Sequence, residues 1–151
     1  MIKIICVGKI KENYLKEAIK EYEKRLSKYT KLKIIEVKDI DNQNIDIILS
    51  KEKDEIKKYI EEKDYVITLE IEGNMLSSTE LATKINSIFN TNSNITFIIG
   101  GSYGLHQDIR NRSNYKLSFS RLTFPHQLFR VNLLEQIYRS FKINNNEAYH
   151  K

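Results

Sequence analysis

Short apolar runs alternate with longer segments of helical period along this chain, and that alternation constrains its fold more than any other feature. Ile2-Lys3-Ile4-Ile5-Cys6-Val7, Leu32 to Val37, Tyr65 to Ile71 and Ile95-Thr96-Phe97-Ile98-Ile99 have the length and β-branched content of strands. Residues 12–29 carry Tyr14, Leu15, Ala18, Ile19, Tyr22 and Leu26 at three- and four-residue spacing, the stripe of an amphipathic helix. Residues 39–46 read as a polar connection, and residues 47–62 repeat the helical pattern with Ile48, Leu49, Ile56, Tyr59 and Ile60. Glu72-Gly73-Asn74 is expected to stop the third strand. Ser77 and Glu80 then form a capping box ahead of Leu81, Ala82, Ile85 and Ile88, which predicts a helix to about residue 90. A short helix over 105–112, a fifth strand near 115–119 and a last helix from Pro125 or His126 to about Phe141 complete the pattern. Residues 144–151 show no helical period. Strands separated by helices pair in parallel, with helices on both sheet faces. The prediction is a single α/β domain over residues 1–151, built on about five strands.

A chain of 151 residues can close one hydrophobic core without staples. With 40% hydrophobic and 30% charged residues it is neither a disordered tail nor a membrane protein. The single cysteine, Cys6, excludes an internal disulfide framework and a Cys-rich zinc site, and no metal is expected. Its place in an apolar run favours a buried core thiol over a nucleophile. No run approaches the ~18 apolar residues of a membrane span, and Ile2 to Val7 is too short for a signal segment. A soluble, cytoplasmic setting is the expectation.

The net charge of +5 sits at one end. Residues 1–99 hold 17 basic and 17 acidic residues, whereas residues 100–151 hold 8 basic and 3 acidic. Five of the six arginines fall there: Arg110, Arg112, Arg121, Arg130 and Arg139. The guanidinium fork matches phosphate, so this third suits an anionic polymer, although a solvated basic surface would have the same composition. In parallel sheets, ligands bind beyond the carboxyl ends of strands, and two such ends carry glycine: Thr68 to Gly73 and Ile98 to Gly104. Neither fits a dinucleotide fingerprint or a phosphate-binding loop. The last helix places Leu128, Phe129, Val131, Leu133, Leu134, Ile137, Tyr138 and Phe141 over more than half its circumference. That excess fits either a deeply embedded helix or a second buried surface such as a homodimer interface. His126 falls at the start of this helix, where free N–H groups disfavour protonation of an imidazole.

Several ordered segments together resemble the RlmH family, the 23S ribosomal RNA pseudouridine N3-methyltransferases of the SPOUT superfamily. They are Phe97 to Leu105, Leu117 to Arg130, Glu135-Gln-Ile-Tyr-Arg139 and Glu147-Ala-Tyr-His-Lys151, with Met1 to Lys9 and Thr68 to Gly73 also fitting. The resemblance covers essentially the whole chain. It implies a SPOUT-type α/β-knot: a mostly parallel sheet of about five or six strands, helices on both faces and a C-terminal trefoil knot. It implies a homodimer that uses S-adenosyl-L-methionine. By matched motif the cofactor contacts are Leu69, Gly100, Phe119, Ser120, Arg121, Leu122, Thr123 and Phe124, with Ser102 within range. Glu72 stands where some members have Pro or Gln.

The implied reaction moves a methyl group to N3 of a pseudouridine in the assembled ribosome. His126, Tyr149 and His150 are candidates for orienting the base or accepting its proton. Arg110, Arg112, Arg121, Arg130, Arg139 and Lys151 are candidate phosphate contacts. A valine at position 100 is expected to block the cofactor while sparing the fold. A non-catalytic ribosome- or RNA-binding module on the same scaffold is the alternative. A small-molecule enzyme with phosphate on the Gly100-Gly101 turn would leave the basic third without a task.

Overall fold

The computed structural model describes residues 1–151. The elements run β1 (Ile2–Val7), α1 (Asn13–Leu26), β2 (Leu32–Val37), α2 (Ile45–Lys57), β3 (Tyr65–Met75), α3 (Ser78–Phe89), β4 (Ile95–Ile99), α4 (Gln107–Arg112), β5 (Tyr115–Ser118) and α5 (His126–Asn144). The strands form one sheet in the order β2-β1-β4-β3-β5, and every neighbouring pair is parallel. No helix is long and apolar enough to cross a membrane.

Alternation along β1 explains the layers, because successive side chains leave a strand on opposite faces. Ile2, Ile4 and Cys6 enter the larger core with Leu15 and Ile19 of α1, Ile85 of α3 and Leu133, Leu134 and Ile137 of α5. Ile5 and Val7 enter the smaller core on the other face with Ile56 of α2 and Ile109 of α4. Burial pushes the Cys6 thiol up to about 12, so it is packing rather than a nucleophile.

Several boundaries differ from expectation, three of them near the sheet edges. Helix α2 begins two residues earlier because the Asn44 side chain caps it, accepting from Asp46 N and Ile47 N. It stops at Lys57 instead of 62. The Tyr59 carbonyl accepts Lys3 Nζ at 2.7 Å, and the following turn brings Asp64 to the same ammonium at 2.9 Å. Strand β3 does not end at Ile71. Leu69 and Asn74 both stand opposite Leu117, so the intervening residues bulge out and pairing with β5 resumes. Gly73 permits this: a Cβ there would lie 2.8 Å from the Lys116 carbonyl oxygen.

The start of α5 is fixed far from β5. Gln127 Oε1 accepts Lys11 N at 3.0 Å, and Arg130 donates to Glu36 at 2.6 Å and to the Gly8 carbonyl at 3.1 Å. Residues 119–125 therefore cross the carboxyl ends of β3 and β4 to reach β1.

Candidate functional site

A cavity of about 510 Å³ lies along this crossing, within the size range of small-molecule sites. Its walls are the end of β3 (Leu69, Glu70, Ile71, Glu72), the turn after β4 (Gly100 to Leu105) and the crossing segment with the first turns of α5. This is the carboxyl edge of a parallel sheet, where such folds bind ligands.

Each wall has a local cause. After β4 the chain turns back on itself: Gly104 N donates to the Gly101 carbonyl at 3.1 Å, and Gly104 takes a φ of 79°. A Cβ on Gly100 would lie 2.6 Å from the Gly104 carbonyl oxygen. This corrects the expectation for Gly100→Val, since the added side chain meets the protein's own backbone and disrupts the turn. At the end of β5, Ser118 Oγ donates to the Ile71 carbonyl at 2.7 Å, and in the crossing segment Ser120 Oγ accepts Leu122 N at 3.0 Å. Phe129 of α5 grips both ends of the loop, with ring centroids 4.8 Å from Phe119 and 5.7 Å from Phe124.

Leu69, Gly100, Phe119, Ser120, Leu122, Thr123 and Phe124 thus line one cavity, together with Ser102 and His126. Arg121 is exposed and outside the lining. His126 is the first residue of α5. His106 caps α4, its Nδ1 accepting Asp108 N at 3.0 Å.

The three catalytic candidates do not converge within one chain. Tyr149 Oη donates to Glu135 at 3.1 Å, and His150 Nδ1 lies 3.1 Å from Arg139 Nη1. At 1.5 Å per residue along α5, Arg139 is about 20 Å from His126. The tail is bent back at Asn146, which takes a left-handed φ of 54°, and Glu147 is held by Tyr29 and Lys142, each at 2.7 Å. Burial, and then the hydrogen bond to Glu135, raise the Tyr149 phenol above its ordinary pKa.

The arginines also separate. Arg130 is 2% exposed and consumed by Glu36 and Gly8, so it is no phosphate contact. Arg112 Nη2 staples the Glu61, Glu62 and Asp64 carbonyls at 3.0 to 3.2 Å, and Arg139 is forked onto Glu135. Lys151 is exposed. Arg110 instead lines the cavity, its buried Nε without a hydrogen-bond partner and 3.4 Å from Glu70 Oε1. The other Glu70 oxygen accepts Thr68 Oγ1 at 2.6 Å. Sequence reasoning missed Glu70. Its signal was period-two spacing from Thr68 at the end of a buried strand. A second cavity of about 320 Å³ shares Leu117, Ser118 and Phe119 with the first and is lined by Glu135 and Gln136. No cluster of His, Cys, Asp or Glu could hold a metal ion.

The family model described as Predicted SPOUT methyltransferase matches residues 1–150. Two proteins named Ribosomal RNA large subunit methyltransferase H, from Clostridium novyi and Clostridium botulinum, are each 55% identical, with 99% of both chains covered. A protein named Putative ribosomal RNA large subunit methyltransferase H from Methanococcus vannielii is also 55% identical over 99% of both chains. The structure of a probable methylase family protein from Haemophilus influenzae matches the fold with a TM-score of 0.61 at 14% identity, covering 99% of this chain and 70% of that one. A chain with this sheet order, this cavity at the carboxyl edge and full-length likeness at that level belongs to the SPOUT methyltransferase family and, within it, to the RlmH family.

Proposed function

We propose that this chain is an S-adenosyl-L-methionine-dependent methyltransferase that modifies N3 of a pseudouridine in 23S ribosomal RNA of the assembled ribosome. We read residues 1–151 as one catalytic unit, cytoplasmic and paired as a homodimer, with the crossing segment threaded as in the family's trefoil knot. The observation that carries the reading is the cavity itself: seven of the eight residues expected from family motifs surround one space. Membership of a methyltransferase family implies a methyl donor.

The cavity suits S-adenosyl-L-methionine chemically. Leu69, Leu105, Leu117 and Phe119 offer apolar wall for a flat ring. Glu70 and Arg110 place one charge of each sign beside it, with Arg110 Nε 3.4 Å from Glu70 Oε1. When bound, the donor supplies an electrophilic methyl on a positive sulfur. The chain's task is then to bind, orient and manage one proton. Leu69, Gly100 and residues 119–124 would hold the donor. Positioning supplies most of the rate, because the methyl is already activated. We read His126, which lines the cavity, as the residue that meets the N3 proton. His150, beside Arg139, lies far from His126 in its own protomer, and Tyr149 is bonded to Glu135 at the adjoining cavity, so in this reading both serve the site of the second copy.

The test is methyl transfer from labelled donor to ribosomes that carry the pseudouridine. The expected result is label in 23S ribosomal RNA at that nucleoside. Bound donor with no transferred label would instead leave a ribosome-binding module without methyltransferase activity.

A further inference from the structure

Internal partners absorb Arg112, Arg130 and Arg139, so the free cations of the carboxyl-terminal third are fewer than its composition promises. The same edge of the sheet carries others. The segment Gly8–Glu12 leaves the carboxyl end of β1, next to β4 in the sheet, and a Cβ on Gly101 would stand 3.1 Å from Val7. It is pinned at three points. Arg130 holds the Gly8 carbonyl at 3.1 Å, Glu36 accepts Ile10 N at 2.9 Å, and Gln127 accepts Lys11 N at 3.0 Å. Gly8 makes the turn with a φ of 91°. Gln127 follows His126 directly, so the segment flanks the cavity on the side away from β5.

Lys9 and Lys11 are both exposed on this segment, and neither forms an ion pair. Ile10 between them is buried, so the alternation drives both lysines outward. Of the neighbouring acids, Glu36 is already paired with Arg130, whereas Asp39 stands beside Gly8 and Glu12 follows Lys11, so the two lysines outnumber the acid of their own segment. The backbone that carries the two ammonium groups is anchored at three points, so meeting a charged polymer orders only the lysine side chains.

We propose that Lys9 and Lys11 are phosphate contacts of the RNA-docking surface, extending it from Arg121 across the mouth of the cavity. The proposal rests on the ribosomal RNA reading and adds a place and residues to it. The backbone of a folded RNA, with its regular negative charge, is the partner this chemistry fits.

The test compares the wild-type protein with K9A/K11A, and with K31A/K63A, which removes the same charge from exposed lysines at the amino edge of the sheet. Ribosome binding is measured across potassium chloride concentrations, and S-adenosyl-L-methionine affinity and turnover are measured alongside. In K9A/K11A the slope of log affinity on log salt should fall by roughly 0.7–0.9 per lost contact. KM for ribosomes should rise several-fold, with donor affinity and kcat unchanged. K31A/K63A should keep the wild-type slope, and K9R/K11R should restore it. A wild-type slope and KM in K9A/K11A would overturn the proposal and leave the methyltransferase reading intact. Wild-type protein that binds ribosomes without transferring methyl would overturn that reading, while the slopes still decide the docking surface. Failure of wild-type protein to bind ribosomes would overturn both.

Discussion

A Cβ at position 100 would stand 2.6 Å from the Gly104 carbonyl oxygen, so Gly100 is required by the turn before any ligand is considered. The sequence signal, Gly-Gly after an apolar strand, located the turn but could not distinguish ligand approach from the chain's approach to itself. A cleaner probe of the cavity is Thr123→Trp, because Thr123 is exposed at the wall. It should abolish donor binding in calorimetry while shifting stability by no more than about 0.5 kcal/mol. Asp64 carries a different demand. It is buried with Lys3 at 2.9 Å and also accepts from Glu61 N, Asn94 and Thr96. Burial pushes its pKa up, but the hydrogen bonds from Glu61 N, Lys3, Asn94 and Thr96 outweigh that and hold it below the usual 3.8. A lowered folded pKa gives stability that is present above the unfolded value and lost as pH falls through the folded one. Asp64→Asn leaves Lys3 buried and unpaired, so it should cost about 3–5 kcal/mol at neutral pH. Denaturant titrations should show the gap to wild type narrowing below about pH 4.

Among the elements, α5 does the most to shape the cavity. Its first turns carry His126, Phe129 and Arg130, which respectively face the cavity, grip the loop and fix the helix to β1 and β2. Phe129 is half-buried, so Phe129→Ala should cost less than the about 3–5 kcal/mol of a fully buried phenylalanine. The same change should weaken donor binding by more than tenfold, because the loop loses the ring that holds both its ends. A proportionate loss in each, read by thermal shift and calorimetry, would contradict that division. The excess apolar surface of α5 was legible, and much of it is spent within the chain. Leu133, Leu134 and Ile137 are buried in the larger core, whereas Leu128 remains 41% exposed. The continuation of β3 through Glu72-Gly73-Asn74 was not legible. Those residues read as a turn, and only pairing with β5 from the far end of the chain keeps them in the strand. The early start of α2 could have been found, since Asn44 is a good capping residue before an amphipathic stretch.

The assembled molecule separates what holds it together from what faces a partner. Parallel strands bring the ends of β1, β3 and β4 to one edge, and motifs widely separated in sequence meet there. Periodicity could supply the sheet and its two helical layers because hydrophobic burial follows local spacing. It could not supply the partners of the arginines, because Glu36 meets Arg130 across 94 positions of sequence and Glu61 meets Arg112 across 51. The tail folds onto its own helix, away from its own cavity. Deleting Tyr149 to Lys151 should therefore spare donor binding and cut turnover on ribosomes at least tenfold if the tail serves the second copy. Unchanged turnover would remove it from the site. The most direct measurement of the whole account is a crystal structure of the protein grown with S-adenosyl-L-methionine. The expected result is a donor between Leu69, Gly100 and residues 119–124, with its charged end beside Glu70 and Arg110. A donor seated elsewhere, or that cavity vacant under saturating donor, would contradict it.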